Sequence, residues 1–214
     1  MVYINIFMKL IVSSDIHNDF EMIYKIIELY KKEKPDYVVI LGDIAELGEI
    51  ERGLIKKLTE HIDPNKILII PGNHETPEDI KLLEKIYKIR NLDKNYIIKD
   101  NFVLVGFGGA DLLLNVIDEK EFESFLNELK KKFNNKYIVL LTHIPPRNSM
   151  SSLNISGSYV LRKFIENNDR IILNIHGHIH EAGGLEDIIN KAKVLNVAKE
   201  VKLVEIYDKK AKIK

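Results

Sequence analysis

The chain has no cysteine. That excludes disulfides, a thiolate nucleophile and zinc–thiolate sites, and it fits a reducing compartment, so a cytoplasmic location is expected. Net charge is missing too. Lys+Arg and Asp+Glu number 32 each, so no global field draws the protein to nucleic acid or to an anionic membrane. No apolar run is long enough to span a bilayer. The stretch Met1-Val-Tyr-Ile-Asn-Ile-Phe-Met8 is apolar, but Lys9 interrupts it and no small-residue cleavage site follows, which argues against a signal peptide. Residues 1–7 read as an extension of the first strand or as an artefact of start-site choice, with Met8 the alternative start. Linkers, repeats and low-complexity segments are also lacking. What remains is 45% hydrophobic and 30% charged over 214 residues, which suits one globular domain spanning 1–214.

Apolar runs alternate with amphipathic stretches along that domain. Lys9 to Ser13, Tyr37 to Leu41, Lys66 to Ile70, Lys136 to Thr142 and Arg170 to Ile175 read as buried strands. Helices are expected over Phe20 to Lys34, Ile50 to Ile62, Pro77 to about Ile89, Asp118 to Phe133 and Ser156 to Asn167. Two short strands, Asn95 to Asp100 and Asn101 to Gly106, suggest a hairpin, and Val194 to Val197 and Val201 to Tyr207 close the chain. The basic tail Lys209 to Lys214 reads as a frayed end. Alternation implies an α/β sheet with helices outside, and the hairpin and closing strands suggest a second sheet packed on the first. Ligands in such folds bind beyond the carboxyl ends of the strands.

Polar clusters fall at those ends. They are Asp15-x-His17, Gly42-Asp43, Gly72-Asn73-His74-Glu75, His143 and Gly177-His178-x-His180, and they hold five of the seven histidines. In an extended segment, residues two apart point the same way, so Asp15 and His17, and likewise His178 and His180, are expected to converge. A mixture of imidazole and carboxylate suits Mn, Fe, Zn, Co or Ni better than Ca or Mg. By contrast, Gly106-Phe-Gly-Gly109 has the wrong spacing for a nucleotide-binding fingerprint. Taken singly, Asn73 reads as a turn residue and His143 as a core histidine held by the backbone. Only the five fragments together make a site.

In that order the fragments resemble the calcineurin-like metallophosphoesterases, in particular their small phosphodiesterase branch. The resemblance covers about Lys9 to Glu181. It implies a four-layer α/β/β/α sandwich and a pair of divalent transition metal ions, manganese first, with Fe, Ni, Zn and Co also compatible. Asp15, His17 and His180 would hold one ion, and Asn73, His143 and His178 the other. Asp43 would bridge them, and His74 would face the substrate as the catalytic residue, with protonation of the leaving alkoxide the favoured role. The implied reaction is hydrolysis of a phosphodiester through a metal-bridging hydroxide. The expected partner is a small phosphate ester, nucleotides among the candidates. Neither a membrane nor nucleic acid is expected, and a homodimer is a further option.

Other readings keep the same site. They are a phosphomonoesterase, a DNA nuclease, or a protein-binding scaffold that has lost ligands; the scaffold is disfavoured because all seven ligand positions and His74 are intact. Arg147, in Thr142-His143-Ile-Pro-Pro-Arg147, is a candidate contact for a phosphate oxygen. Glu75 and Glu181 are expected to orient histidine N–H groups. Glu46 matches an acidic residue that family members often carry three positions after the bridging aspartate. Ser156 is expected to cap the helix that follows it. The main departure is Val194-Leu-Asn-Val-Ala198-Lys199, where relatives commonly carry an Asn-Pro-Gly-Ser-like turn: Asn196 matches but the Pro-Gly turn is missing.

Overall fold

Two six-stranded mixed sheets pack face to face, with helices on both outer surfaces. The computed structural model describes residues 7–207 and 210–214. The first sheet contains β1 (Met8–Ser13), β2 (Tyr37–Leu41), β3 (Ile67–Ile70) and β4 (Arg90–Asn91) in parallel, and the second contains β5 (Asn95–Lys99), β6 (Phe102–Phe107), β7 (Tyr137–Thr142) and β8 (Ile171–His176). The chain then builds β9 (Glu186–Ile189) and β10 (Ala192–Asn196) on the far edge of the second sheet. It crosses back to place β11 (Val201–Tyr207) antiparallel to β1, with β12 (Lys210–Ile213) outside it. The strand orders are β12-β11-β1-β2-β3-β4 and β5-β6-β7-β8-β10-β9.

Strand alternation sorts the side chains into layers. Leu10, Val12, Val39, Leu41, Leu68 and Ile70 meet Leu104, Val139, Leu141, Leu173, Ile175 and Leu195 between the sheets. The opposite face of the first sheet carries Ile11, Val38, Ile40, Ile67 and Ile69. These pack against α1 (Phe20–Glu33), α2 (Leu54–Thr59) and α3 (Pro77–Tyr87). On the second sheet Val103, Val105, Ile138 and Leu140 pack against α4 (Glu119–Lys132) and α5 (Tyr159–Glu166). The four layers are therefore α/β/β/α, as the resemblance implied. Strands buried on both faces read as unbroken apolar runs, which is why the central ones were plain in the sequence.

The helix ends follow local chemistry. Asp19, Asp118 and Ser158 cap α1, α4 and α5 through their side chains, and Thr76 with Asp79 forms a capping box on α3. Ser158, not Ser156, is the cap of α5, so that helix begins at Tyr159. The second helix is much shorter than expected. It starts at Leu54 because Gly53 before it adopts φ of 90°, and residues ahead of it form a loop that carries Glu46. Nor is the basic tail frayed throughout: Lys210 to Ile213 pair with Val204 to Tyr207. At the other end Phe7 extends the ladder by one bond, its N–H donating to Ile206 O at 2.9 Å. Residues 1–6, for which a strand extension was considered, lie outside the described residues.

Candidate metal centre

The loops after β1 and β2 are zipped together by backbone. Asp15, His17 and Asn18 N–H donate to Gly42, Asp43 and Ile44 C=O at 3.0, 2.9 and 3.0 Å. The site residues in these loops and after β8 take unusual backbone. Asp15, His17, Asp43 and His178 all have positive φ, at 56°, 45°, 51° and 72°. Such conformations cost on the order of 1–3 kcal/mol each and collect at functional sites. They also correct the expected geometry: Asp15 and His17 do not converge by extended-strand alternation, and His178 and His180 do not aim at one point.

Instead the histidines of the last motif divide. The ring of His180 goes to Asp15 and His17, with Nε2 3.1 Å from Asp15 Oδ1 and 3.3 Å from His17 Nε2. His178 packs edge-on against His143, ring centroids 5.3 Å apart. Asp15 ties the two halves together, because its Oδ2 accepts from His178 N–H at 3.0 Å. Gly177 makes this approach possible: a Cβ there would overlap Ser14 Oγ and Asp15 Oδ2.

Asp43 stands at the middle. Its Oδ1 accepts from His74 N–H at 2.9 Å. Its Oδ2 is 3.3 Å from His143 Nε2, 3.9 Å from His17 Nε2 and 4.0 Å from His74 Nε2. Asn73 Oδ1 completes the second half at 3.0 Å from His143 Nε2. Three groups of His, Asp or Glu are thus close enough to share an ion: Asp15–His17–His180, His17–Asp43–His74 and Asp43–His143–His178. The structure brings all seven expected ligand residues and His74 into one cluster.

The electrostatics of that cluster call for positive charge. His143 is fully buried, and its Nδ1 donates to Leu41 O at 2.7 Å, so Nε2 faces the oxygens of Asn73 and Asp43. Burial alone would lower its pKa, yet the Asp43 and Asp15 carboxylates outweigh burial and push it up to about 10. Asp43 and Asp15 are raised by burial and pulled back below the ordinary carboxylate range, chiefly by His143. His17 and His178 move down, mainly through burial. Carboxylate, amide and imidazole atoms gathered within reach of one another, buried at Asp15, Asp43, Asn73 and His143 and more open at His17, His178 and His180, make the donor set of a borderline divalent cation. The residues present therefore fit the metal pair that the resemblance implied.

Support around the ligands differs from the expectation. Glu75 is fully buried but touches no histidine N–H. It accepts from the backbone N–H of Asp43, Gly72 and Ala45 at 3.0, 2.9 and 2.7 Å, clamping two ligand loops. Burial and the nearby Asp43 raise its pKa to about 7. Glu75→Ala would strand three buried donors at about 1–3 kcal/mol each. We expect a loss of roughly 3 kcal/mol or more in urea unfolding, with Glu75→Gln intermediate. A change under about 1 kcal/mol would refute the clamp.

The carboxylate that lies beside two of the histidines is Glu46, without a hydrogen bond to either ring. Its Oε2 is 2.9 Å from His17 Nδ1, although off the hydrogen-bond axis, and its Oε1 is 3.5 Å from His74 Nδ1. Glu181 is exposed and orients no histidine among the described residues. His176 turns to the other side, buried, with Ser151 Oγ 2.8 Å from Nε2. Asn196 Nδ2 donates to Ser151 and Ile179 C=O at 3.0 and 2.9 Å, which fastens the segment lacking the Pro-Gly turn. Arg147 lays its guanidinium over the Tyr159 ring at 5.5 Å. One residue of the cluster was missed altogether: Asp111, whose Oδ1 lies 3.1 Å from His178 Nε2.

The fold and this candidate metal cluster are those expected of a metallophosphoesterase. The family model of the calcineurin-like phosphoesterases matches residues 8–182, and the chain belongs to that family. It is 36% identical over 169 residues to the uncharacterized protein MJ1162 of Methanocaldococcus jannaschii, covering 74% of this chain and 76% of that protein. Among solved structures it is similar to TT1561 of Thermus thermophilus, with a TM-score of 0.74, 17% identity and coverage of 98% and 99%. A dimetal phosphatase from Danio rerio gives a TM-score of 0.68, 10% identity and the same coverage of the two chains. These two likenesses establish the fold. Family membership implies a hydrolase acting on phosphoesters, and no helix among the described residues is long and apolar enough to cross a membrane.

Proposed function

We propose that residues 1–214 form a single dinuclear phosphodiesterase domain. In this reading Asp15, His17 and His180 would hold one divalent ion, Asn73, His143 and His178 would hold the other, and Asp43 would be shared between them. The observation that carries it is Asp43 Oδ2, which faces His143 on one side and His17 on the other at 3.3 and 3.9 Å. When bound, the two ions acidify water and neutralise phosphate oxygens as charge builds. Manganese is put first because the resemblance implies it, the donor set itself suiting Fe, Zn, Co and Ni as well, and the lack of cysteine supports a cytoplasmic setting.

The chain's own residues supply the rest. Leu47 N–H donates to His74 Nδ1 at 3.1 Å, so the proton of the neutral ring sits on Nε2, towards Asp43. An imidazolium would set Nδ1–H against Leu47 N–H, and Glu46 stands farther off at 3.5 Å. This favours His74 as a hydrogen-bond donor to a phosphoryl oxygen over protonation of the leaving group. Arg147 is retained as a candidate phosphate contact on the chemistry of its guanidinium, which stacks over the Tyr159 ring. The substrate in this reading is a small diester, nucleotides included, as the resemblance implies.

The test is hydrolysis of bis-p-nitrophenyl phosphate against p-nitrophenyl phosphate by chelator-treated protein, with Mn²⁺, Ni²⁺, Mg²⁺ or no metal restored. Diester cleavage restored by Mn²⁺ is expected. Preference for the monoester would transfer the reading to a phosphatase, and folded protein inert with every metal would leave the scaffold.

A further inference from the structure

Asp111 lies on the loop after β6, outside every motif that marks the site. Its Oδ1 is 3.1 Å from His178 Nε2, and its Oδ2 accepts from Ser156 Oγ at 2.6 Å. Ser156 is itself buried, just ahead of α5. His143 shows what such an arrangement does. One ring nitrogen is spent on a protein acceptor, Leu41 O, and the other is thereby turned to the shared centre. A carboxylate only accepts, so the bond to Asp111 puts the proton of neutral His178 on Nε2. The lone pair then belongs to Nδ1, and a cation binds a lone pair.

We propose that Asp111 is a positioning residue: it locks His178 in the tautomer that presents Nδ1 to the second cation, and Ser156 locks Asp111. This rests on the dinuclear reading above. The arm also ties two loops to the site, since Asp111 follows β6 and Ser156 precedes α5. Neighbouring carboxylates do this for histidine ligands generally, setting ring orientation and basicity.

The experiment pairs zinc affinity, by competition with a chromophoric chelator, with long-range ¹H–¹⁵N NMR of the His178 ring. It uses the wild-type chain, Asp111→Ala, Asp111→Asn and Ser156→Ala. In wild type we expect two zinc ions per chain, His178 bound through Nδ1, and the Nε2–H tautomer in metal-free protein. Asp111→Ala should weaken one of the two sites by about 10–100-fold, leave the other nearly unchanged, and mix the tautomers. Asp111→Asn keeps an acceptor oxygen and should lose less, as should Ser156→Ala; both remain informative if the alanine variant at 111 does not fold. Coordination through Nε2, or unchanged affinities in the variants, would overturn the proposal. Wild type that takes up no zinc would instead defeat the dinuclear reading, and a mixed tautomer in that metal-free protein would overturn the role of Asp111 separately.

Discussion

Asp43→Asn should abolish turnover and empty both metal sites together. The substitution is nearly isosteric, but the structure dictates which way the amide must face. Asp43 Oδ1 accepts from His74 N–H, so the carbonyl oxygen of asparagine takes that position. Its NH₂ group then occupies the place of Oδ2, aimed at His143 and His17 Nε2. An amide donor cannot bridge two cations. Turnover on the diester should fall by at least ~10³-fold, in the range seen when preorganised charge stabilisation is removed. Metal content, measured by mass spectrometry after dialysis, should drop below one ion per chain.

Circular dichroism must show a folded chain, since losing one partner of a buried charge pair costs about 3–5 kcal/mol. Loss of a single metal with the other retained would show that Asp43 does not bridge. Full loading with normal turnover would remove it from the site.

That prediction could be framed from sequence because the ligand fragments sit where the chain announces them. Each follows a strand buried on both faces, and such strands read as unbroken apolar runs. Edges were harder. β9, Glu186–Ile189, and β12, Lys210–Ile213, are short, and each alternates exposed with less exposed residues, many of them charged, a pattern that reads as loop or tail. The loop carrying Glu46 was hidden because Ile50 to Ile62 has helical spacing throughout. Only the positive φ of Gly53 delays the helix, and the sequence does not show which glycine will take it.

Within the site, residue identity was legible and geometry was not. The pattern Asp-x-His suggested convergence through extended backbone, whereas the chain uses left-handed residues held by the neighbouring loop. Glu75 follows His74 directly and looked like a histidine partner. Its role as a clamp depends on N–H groups some thirty residues away, at Asp43 and Ala45. Asp111 could not be found at all. It meets His178 across 67 residues and Ser156 across 45, contacts made only when the loop after β6 folds over the loop before α5. No local spacing records an encounter of that kind.

His74→Asn separates two roles that family resemblance leaves together. In both, the variant should bind two metals as wild type does, because the resemblance puts His74 outside the seven ligand residues; the distances do not separate it from them, since His74 Nε2 is 4.0 Å and His17 Nε2 3.9 Å from Asp43 Oδ2. In both, kcat should fall by about 10²–10³-fold. The difference lies in which substrates suffer. A general acid matters most when the leaving alkoxide is poor, so the penalty would grow steeply along a series of aryl and alkyl diesters as leaving-group basicity rises. A neutral donor to a non-bridging oxygen senses that charge whatever leaves, so the penalty should be nearly constant along the series. The bond from Leu47 N–H to His74 Nδ1 selects the second outcome, because it leaves the ring one proton to point and none to give away. A steep dependence would mean that the ring takes a second proton, with Leu47 N–H displaced and Glu46 turned onto Nδ1. Loss of metal in the variant would place His74 among the ligands instead. The measurement is therefore kcat against leaving-group pKa for wild type and His74→Asn, taken with metal content on the same samples.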